Sequence, residues 1–265
     1  MEPFKQKSNR RLTCYDRSSR VLAGLTTRNG GHSPKPYETL NMGLHVDDEK
    51  ENVLENRRTL AKELGVSLDQ WVIGEQVHGT EVKAVGHTYA GAGTDSLSTA
   101  VQGVDGLITN EPGLLLAAFY ADCVPLFFYD SKAEWVGVAH AGWKGTVNGM
   151  AGEMIEALAE QGCLRENIHI VIGPSIGMKH YEVDQKVIDK VPDVHRDKCI
   201  TQNTNGKYQL DLKALHRQMM IEKKIPAENI QVSGFCTYEE NDLFYSHRRD
   251  QGKTGRMLGF IGLRT

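Results

Sequence analysis

The sequence predicts a mixed α/β fold, with a mixed sheet layered by helices in a single domain spanning residues 1–265. Three observations predict it. Apolar runs of strand length, separated by Gly, Pro and Asp, follow one another from residue 104 to residue 140. Stretches on either side repeat their apolar residues at helical spacing. The composition, 40% hydrophobic and 25% charged, suffices for a core, and no Pro/Ser-rich linker, charge block or internal repeat divides the chain.

Taken in order, residues 47–65 read as a helix, because Val53, Arg57, Leu60 and Leu64 recur at helical spacing and Gly65 can take a left-handed stop. Trp71, Val72 and Ile73 form a short strand that runs into the loop Glu75-Gln76-Val77-His78-Gly79. Residues 84–100 are rich in Gly, Ser and Thr and read as a surface loop able to serve as a lid. Strands are expected at 106–109, 114–120, 125–129 and 135–140, then a helix over 146–162 ending at Gly162. Beyond it come a strand at 168–172, helices at 182–191 and 212–224, the latter capped by Asp211, and closing strands at 230–233 and 257–263.

A formal net charge of -3 and a pI near 6.4 give no electrostatic footprint for nucleic acid or an anionic membrane, which favours a small-molecule partner. The longest apolar run, over 114–120, is too short to span a bilayer, and residues 1–20 lack a signal-peptide core, so a cytoplasmic protein is expected. Five cysteines, at 14, 123, 163, 199 and 236, form no CxxC and suggest neither a disulfide framework nor a zinc ribbon.

Two side chains stand at ends of expected strands. Cys123 follows an apolar strand and precedes Pro125, whereas His140 closes a strand and precedes the small-residue turn Ala141-Gly142-Trp143-Lys144-Gly145. His78 lies just past a third. Strand-to-helix turns gather functional groups at one edge of an α/β sheet. A His, a Cys and a His form a set that zinc accepts, and three protein ligands leave a coordination position for chemistry. Their separations, 45 and 17 residues, match no compact metal motif, so a buried thiol and ordinary hydrogen-bonded histidines remain the alternative. His32, His45, His87 and His180 have no comparable setting, and Cys236 is a weaker candidate.

Several ordered segments resemble the YfiH/YlmD family, also called the laccase-domain or multicopper polyphenol oxidase-like family, which includes purine nucleoside phosphorylases. They include Thr26-Thr27-Arg28-Asn29-Gly30-Gly31-His32-Ser33, Leu40-Asn41-Met42-Gly43-Leu44-His45, Gln76-Val77-His78-Gly79, Asp105-Gly106-Leu107-Ile108-Thr109, Ala121-Asp122-Cys123-Val124-Pro125, the His140 turn, Ile172-Gly173-Pro174-Ser175-Ile176-Gly177 and Thr254-Gly255-Arg256. The resemblance runs through nearly the whole chain. It implies a YfiH-like α/β domain and one zinc per chain on His78, Cys123 and His140. It also implies phosphorolysis of adenosine, inosine, guanosine and methylthioadenosine, with deamination of adenosine.

For that chemistry Asp122 and Glu75 are the adjacent carboxylates able to move a proton, unless they cap turns. Arg28, Lys144 and Arg248 are candidates to bind phosphate, Asn41 to bind ribose or base, and Trp143 to stack on a purine. Lys144 stands where the resemblance leads one to expect Arg, which keeps the charge and loses the bidentate fork. Copper is disfavoured because the chain has no HxH pair for a multinuclear cluster. The rival readings are a metal-free hydrolase with Cys123 as nucleophile and His140 or His78 as base, a copper-dependent polyphenol oxidase, and a binding protein with structural zinc.

Overall fold

The computed structural model describes residues 1–14 and 20–265, so the expectation for residues 1–20 lies partly outside the described residues. Four layers stack on one another. Helix Lys50–Leu64 covers a six-stranded sheet, that sheet packs on a second six-stranded sheet, and helices Met150–Glu160 and Leu212–Glu222 cover the far side.

In the first sheet the order is Lys5–Gln6, Arg11–Cys14, Val21–Thr26, Met257–Leu263, Leu115–Tyr120 and Trp71–Ile73, antiparallel except for the last pair. In the second it is Ile230–Val232, Ile168–Ile172, Val124–Asp130, Trp135–Ala141, Gly106–Thr109 and Val82–Ala84, with parallel pairs at both edges. A small antiparallel sheet of Glu182–Val183, Tyr208–Leu210 and Ile200–Gln202 stands apart.

The alternation along each strand explains the layering. Leu116, Ala118 and Tyr120 enter the core between the sheets, while Leu115, Ala117 and Phe119 meet Leu60, Ala61 and Leu64 of the first helix. On the second sheet Phe127 and Tyr129 face inward, and Leu126 and Phe128 join Met154, Ile155 and Leu158. Strands covered on both faces read as unbroken apolar runs rather than as alternation, which is why these were visible in the sequence. Burying each such side chain contributes about 1.5–3 kcal/mol, and Phe128→Ala would cost about 3–5 kcal/mol through the cavity it leaves.

Three expectations differ from the structure. The helix expected over 146–162 is two helices, Trp143–Val147 and Met150–Glu160, because Gly149 takes φ 94° and breaks the ladder between them. Over 182–191 there is a short strand and then a helical turn, Gln185–Ile188, begun by the Asp184 side chain accepting from the Val187 N–H; Pro192 precedes a further helix, Asp193–Cys199. The segment 84–100 is fastened in place rather than hung as a lid. The Ile73 and Gly91 amides donate to Ala92 and Trp71 carbonyls, and the fully buried Arg57 guanidinium donates to the carbonyls of Gly93, Thr94 and Met42. Lifting the segment would take the Gly93 and Thr94 acceptors from a buried charge and leave it only the Met42 carbonyl.

Candidate metal centre

His78 reaches its position through a segment that crosses from the first sheet to the second. The Glu75 and Gln76 amides donate to Val101 and Val104 carbonyls, while the Gln76 side chain both donates to Phe119 O (2.9 Å) and accepts from Phe119 N (2.7 Å). A side-chain amide thus extends the parallel pairing one step past the strand. Gln76 and His78 hold left-handed φ values of 59° and 61°, which cost on the order of 1 kcal/mol or more each outside glycine.

Asp105 holds that turn together. Its buried carboxylate accepts from the backbone N–H groups of Val77 (3.0 Å), His78 (3.2 Å) and Gly79 (2.7 Å), and its Oδ1 lies 2.8 Å from His140 Nδ1. His140 sits in strand Trp135–Ala141 and is buried. With its Nδ1–H committed to a carboxylate, Nε2 is the nitrogen left to serve as a ligand. Sequence reasoning missed Asp105 as a site residue, although it opens one of the quoted segments.

Cys123 follows Asp122, which also has a left-handed φ, 82°. The Asp122 carboxylate accepts from Thr237 Oγ1 (2.7 Å) and Arg248 N (2.7 Å), and its carbonyl accepts from Ile176 N (3.0 Å). Both carboxylate oxygens are committed, so Asp122 is a fastener for the Cys123 turn. Glu75 remains exposed, with Oε2 accepting from Gly103 N.

The ligand atoms of His78, Cys123 and His140 lie within 4.8 Å of one another, and the two imidazoles meet edge to face, 4.8 Å between centroids. Donor atoms around one tetrahedral ion stand about 3–4 Å apart, so the set can hold a single metal. Burial alone would push the Cys123 thiol up, but His140 and then His78 outweigh it and bring the thiol below its ordinary range. Burial likewise disfavours charge on His140, whereas Cys123 and Asp105 hold it above the usual histidine value. Cys123 therefore leans toward thiolate and His140 toward imidazolium, whose Nε2 proton has to leave when an ion binds. Gly142 leaves room for them: a Cβ there would stand 3.1 Å from both Cys123 Sγ and His78 Cδ2. Behind it, Thr146 Oγ1 bonds Gly142 O and lies 2.9 Å from Nε2 of the fully buried His216, whose protonation burial holds down to about 3.

The cluster opens into a cleft of about 940 Å³. Phe119, Trp143, Ile176 and Tyr181 supply apolar wall, and Glu75, Lys144, Arg248 and Arg256 supply charge. Lys144 is exposed, with its ammonium 5.9 Å from the Trp143 ring centroid. Arg248 donates to Glu182 O (3.0 Å) over the Tyr181 ring. Arg28 and Asn41 do not line the cleft. Arg28 donates to the Glu38 and Asn241 carbonyls above the Tyr245 ring, while the buried Asn41 accepts from the Gly43 and Arg256 amides. Cys236 is buried and accepts from Gly177 N, also away from the cleft lining. His45, which the sequence gave no reason to single out, does line it. Arg256 was likewise passed over.

The family described as multi-copper polyphenol oxidoreductase laccase matches residues 22–264. Purine nucleoside phosphorylase YlmD of Bacillus subtilis (strain 168) is 47% identical over 247 residues, 92% of this chain and 89% of that protein. The protein of the same name from Geobacillus stearothermophilus (strain DSM 13240 / CIP 106956 / 10) is 45% identical over 248 residues, 92% of this chain and 90% of its own. Two solved structures, Bacillus licheniformis hypothetical protein YfiH and YlmD from Geobacillus stearothermophilus, give TM-scores of 0.96 and 0.95 at 42% identity, each covering 100% of both chains. With the YfiH/YlmD architecture reproduced over its whole length, the chain belongs to the multi-copper polyphenol oxidoreductase laccase family.

Proposed function

We propose that the protein is a zinc-dependent purine nucleoside phosphorylase, a single domain with one zinc on His78, Cys123 and His140. It converts adenosine, inosine, guanosine or S-methyl-5′-thioadenosine and phosphate to the free base and ribose-1-phosphate or its methylthio counterpart, and it deaminates adenosine to inosine and ammonia. The observation that carries this reading is a three-donor cluster that opens into a cleft lined by aromatic faces and cations. The names of the Bacillus and Geobacillus relatives agree with it.

Zinc bound at the cluster supplies Lewis acidity usable near neutral pH. The chain does the rest. Asp105 fixes His140 and the His78 turn, so two ligands keep their positions as substrate enters. Trp143 and Tyr181 offer faces to a purine, and Lys144 and Arg248 draw anionic phosphate into the cleft. Glu75, which lines the cleft with one carboxylate oxygen bound to Gly103 N, is the carboxylate we assign to pass a proton to the departing amine. Its substrates on this reading are small molecules of the cytoplasm. Among the described residues no helix is long and apolar enough to cross a membrane.

The test is incubation of zinc-loaded protein with adenosine, with and without phosphate. Adenine and ribose-1-phosphate should form only with phosphate, and inosine should form in either case. If none of the three products forms, the reading is wrong.

A second reading is favoured by one arrangement. Cys123, His140 and Asp105 stand in the order nucleophile, base and orienting carboxylate, with the thiol pushed below its ordinary range by the histidines. Active, metal-free protein that iodoacetamide inactivates at Cys123 would establish a hydrolase instead. Copper-dependent phenol oxidation has less support, because His78, Cys123 and His140 are the one such donor cluster among the described residues.

A further inference from the structure

Arg256 occupies a corner of the cleft that no proposed role has yet used. Its Nη1 donates backward to Thr254 O (2.8 Å) and Gly255 O (3.0 Å), and its backbone N–H is held by Asn41 Oδ1 (2.9 Å). Met42 N donates to the Arg256 carbonyl, so the residue is gripped on both sides by the segment 41–43. Nε and Nη2 make no hydrogen bond and no ion pair among the described residues. These two nitrogens form the edge of a guanidinium that matches two oxygens of a carboxylate or phosphate.

No anionic side chain is in hydrogen-bond or ion-pair contact with that guanidinium among the described residues. Burial pulls the guanidinium below its ordinary range, opposed by the more distant Cys123, Asp122 and Tyr37, of which Asp122 is already committed to Thr237 and Arg248. His45 joins Arg256 at Gly43: a Cβ there would lie 2.8 Å from Arg256 Cγ and 3.1 Å from His45 Cε1. The imidazole stands against the Phe119 ring, 5.6 Å between centroids, and lines the same cleft. A partly desolvated guanidinium with its bidentate edge uncommitted, a second N–H donor beside it and no carboxylate in reach is a seat for an anion. Arg248 and Lys207 differ, since the first is exposed to solvent and the second is exposed and paired with the Glu182 carboxylate at 3.1 Å.

We propose that Arg256, supported by Asn41 and flanked by His45, forms the subsite for the inorganic phosphate that attacks the nucleoside. This rests on the phosphorolysis reading above and gives its phosphate a place. The attacking phosphate oxygen forms a bond to C1′ as the bond from C1′ to the purine nitrogen breaks, and the purine leaves with that electron pair and takes up a proton. Lys144 and Arg248 then serve the approach to the cleft rather than the seat.

The experiment is calorimetric titration of zinc-loaded protein with inorganic phosphate and, separately, with adenosine 5′-monophosphate, alongside the steady-state KM for phosphate. Arg256→Gln should weaken phosphate binding about 10–100-fold, and Arg256→Lys should fall between it and the unsubstituted protein because it keeps charge without the fork. Adenosine KM should stay within about twofold in both. His45→Gln, at an exposed position, should weaken phosphate about threefold and carries the test if Arg256→Gln does not fold. Phosphate affinity unchanged in these variants overturns the proposal, as does a site that takes the monophosphate but not inorganic phosphate. Phosphate binding lost with Arg256, in a protein that forms no ribose-1-phosphate, supports the subsite and removes the phosphorolysis reading. Ribose-1-phosphate formed with an unchanged phosphate KM in Arg256→Gln does the reverse.

Discussion

His140 and His78 face each other across the same few ångströms, yet one is built into the sheet and the other is suspended from a loop. His140 lies inside strand Trp135–Ala141, 4% exposed, with its backbone N–H bonded to Asp105 O and its ring to the Asp105 carboxylate. His78 is exposed and left-handed, and three successive amides around it converge on that same carboxylate. The fold therefore makes one wall of the site rigid and borrows a single buried side chain from it to discipline the other. The strain at Gln76, His78 and Asp122 marks where backbone preference yields to bringing His78 and Cys123 together with His140.

Asp105→Ala should break both walls at once. Three amides and one imidazole lose their acceptor, so a loss of about 3–5 kcal/mol in denaturant unfolding is expected, with metal affinity down about 10–100-fold by competition with a chelator. Removing the two histidines separately should split these effects. In metal-free protein His140→Ala leaves the Asp105 carboxylate without its cationic partner and should cost about 3–5 kcal/mol. His78→Gly relieves a left-handed backbone and should leave metal-free stability unchanged or raise it by about 1 kcal/mol, while abolishing metal retention. Equal destabilisation by the two changes would erase the contrast between the walls.

Behind the sheet-borne wall, His216 provides a pH test. Its folded-state value is about 3, below the ordinary 6.5, so the unfolded chain takes up a proton that the folded chain refuses. Stability is complete above pH 6.5 and is lost as the pH falls toward 3, by about 2 kcal/mol between pH 7 and pH 5. Urea unfolding of His216→Gln over that interval should lack this slope, and an identical slope would show that the imidazole is not held neutral. The smallest expected effect is that of Gly142→Ala, whose φ of -70° suits alanine but whose methyl would press on Cys123 and His78. A drop of about three- to tenfold in kcat, with stability within about 1 kcal/mol, would show that the two walls meet without slack.

What could be read from the sequence follows the same division. Strands buried on both faces, such as Leu115–Tyr120, Val124–Asp130 and Trp135–Ala141, declared themselves as apolar runs, and two of the three cluster residues, Cys123 and His140, stand at or near their ends. Val21–Thr26 and Arg11–Cys14 did not, because a glycine and short polar residues interrupt their pattern. Gly149 was hidden inside a periodic stretch, since spacing alone cannot report a positive φ. Asp105 is 27 residues from His78 and 35 from His140, and a carboxylate whose partners are mostly backbone amides leaves no pattern of side chains to detect. Arg256 was in view as part of a quoted segment, but its free edge is a property of three-dimensional neighbours. Arg28, in a Gly-Gly turn, has the sequence setting of an anion ligand, but its guanidinium is bonded to carbonyls outside the cleft, a fact of three-dimensional neighbours alone.

The account stands or falls on whether one metal is shared by the two walls. X-ray absorption at the zinc edge, on protein purified without added metal and quantified by elemental analysis, addresses that directly. The arrangement predicts close to one zinc per chain, with one sulfur at about 2.3 Å and two imidazole nitrogens at about 2.0–2.1 Å, the sulfur being lost in Cys123→Ser. A shell without sulfur, or fully active protein carrying far less than one metal per chain, would contradict it.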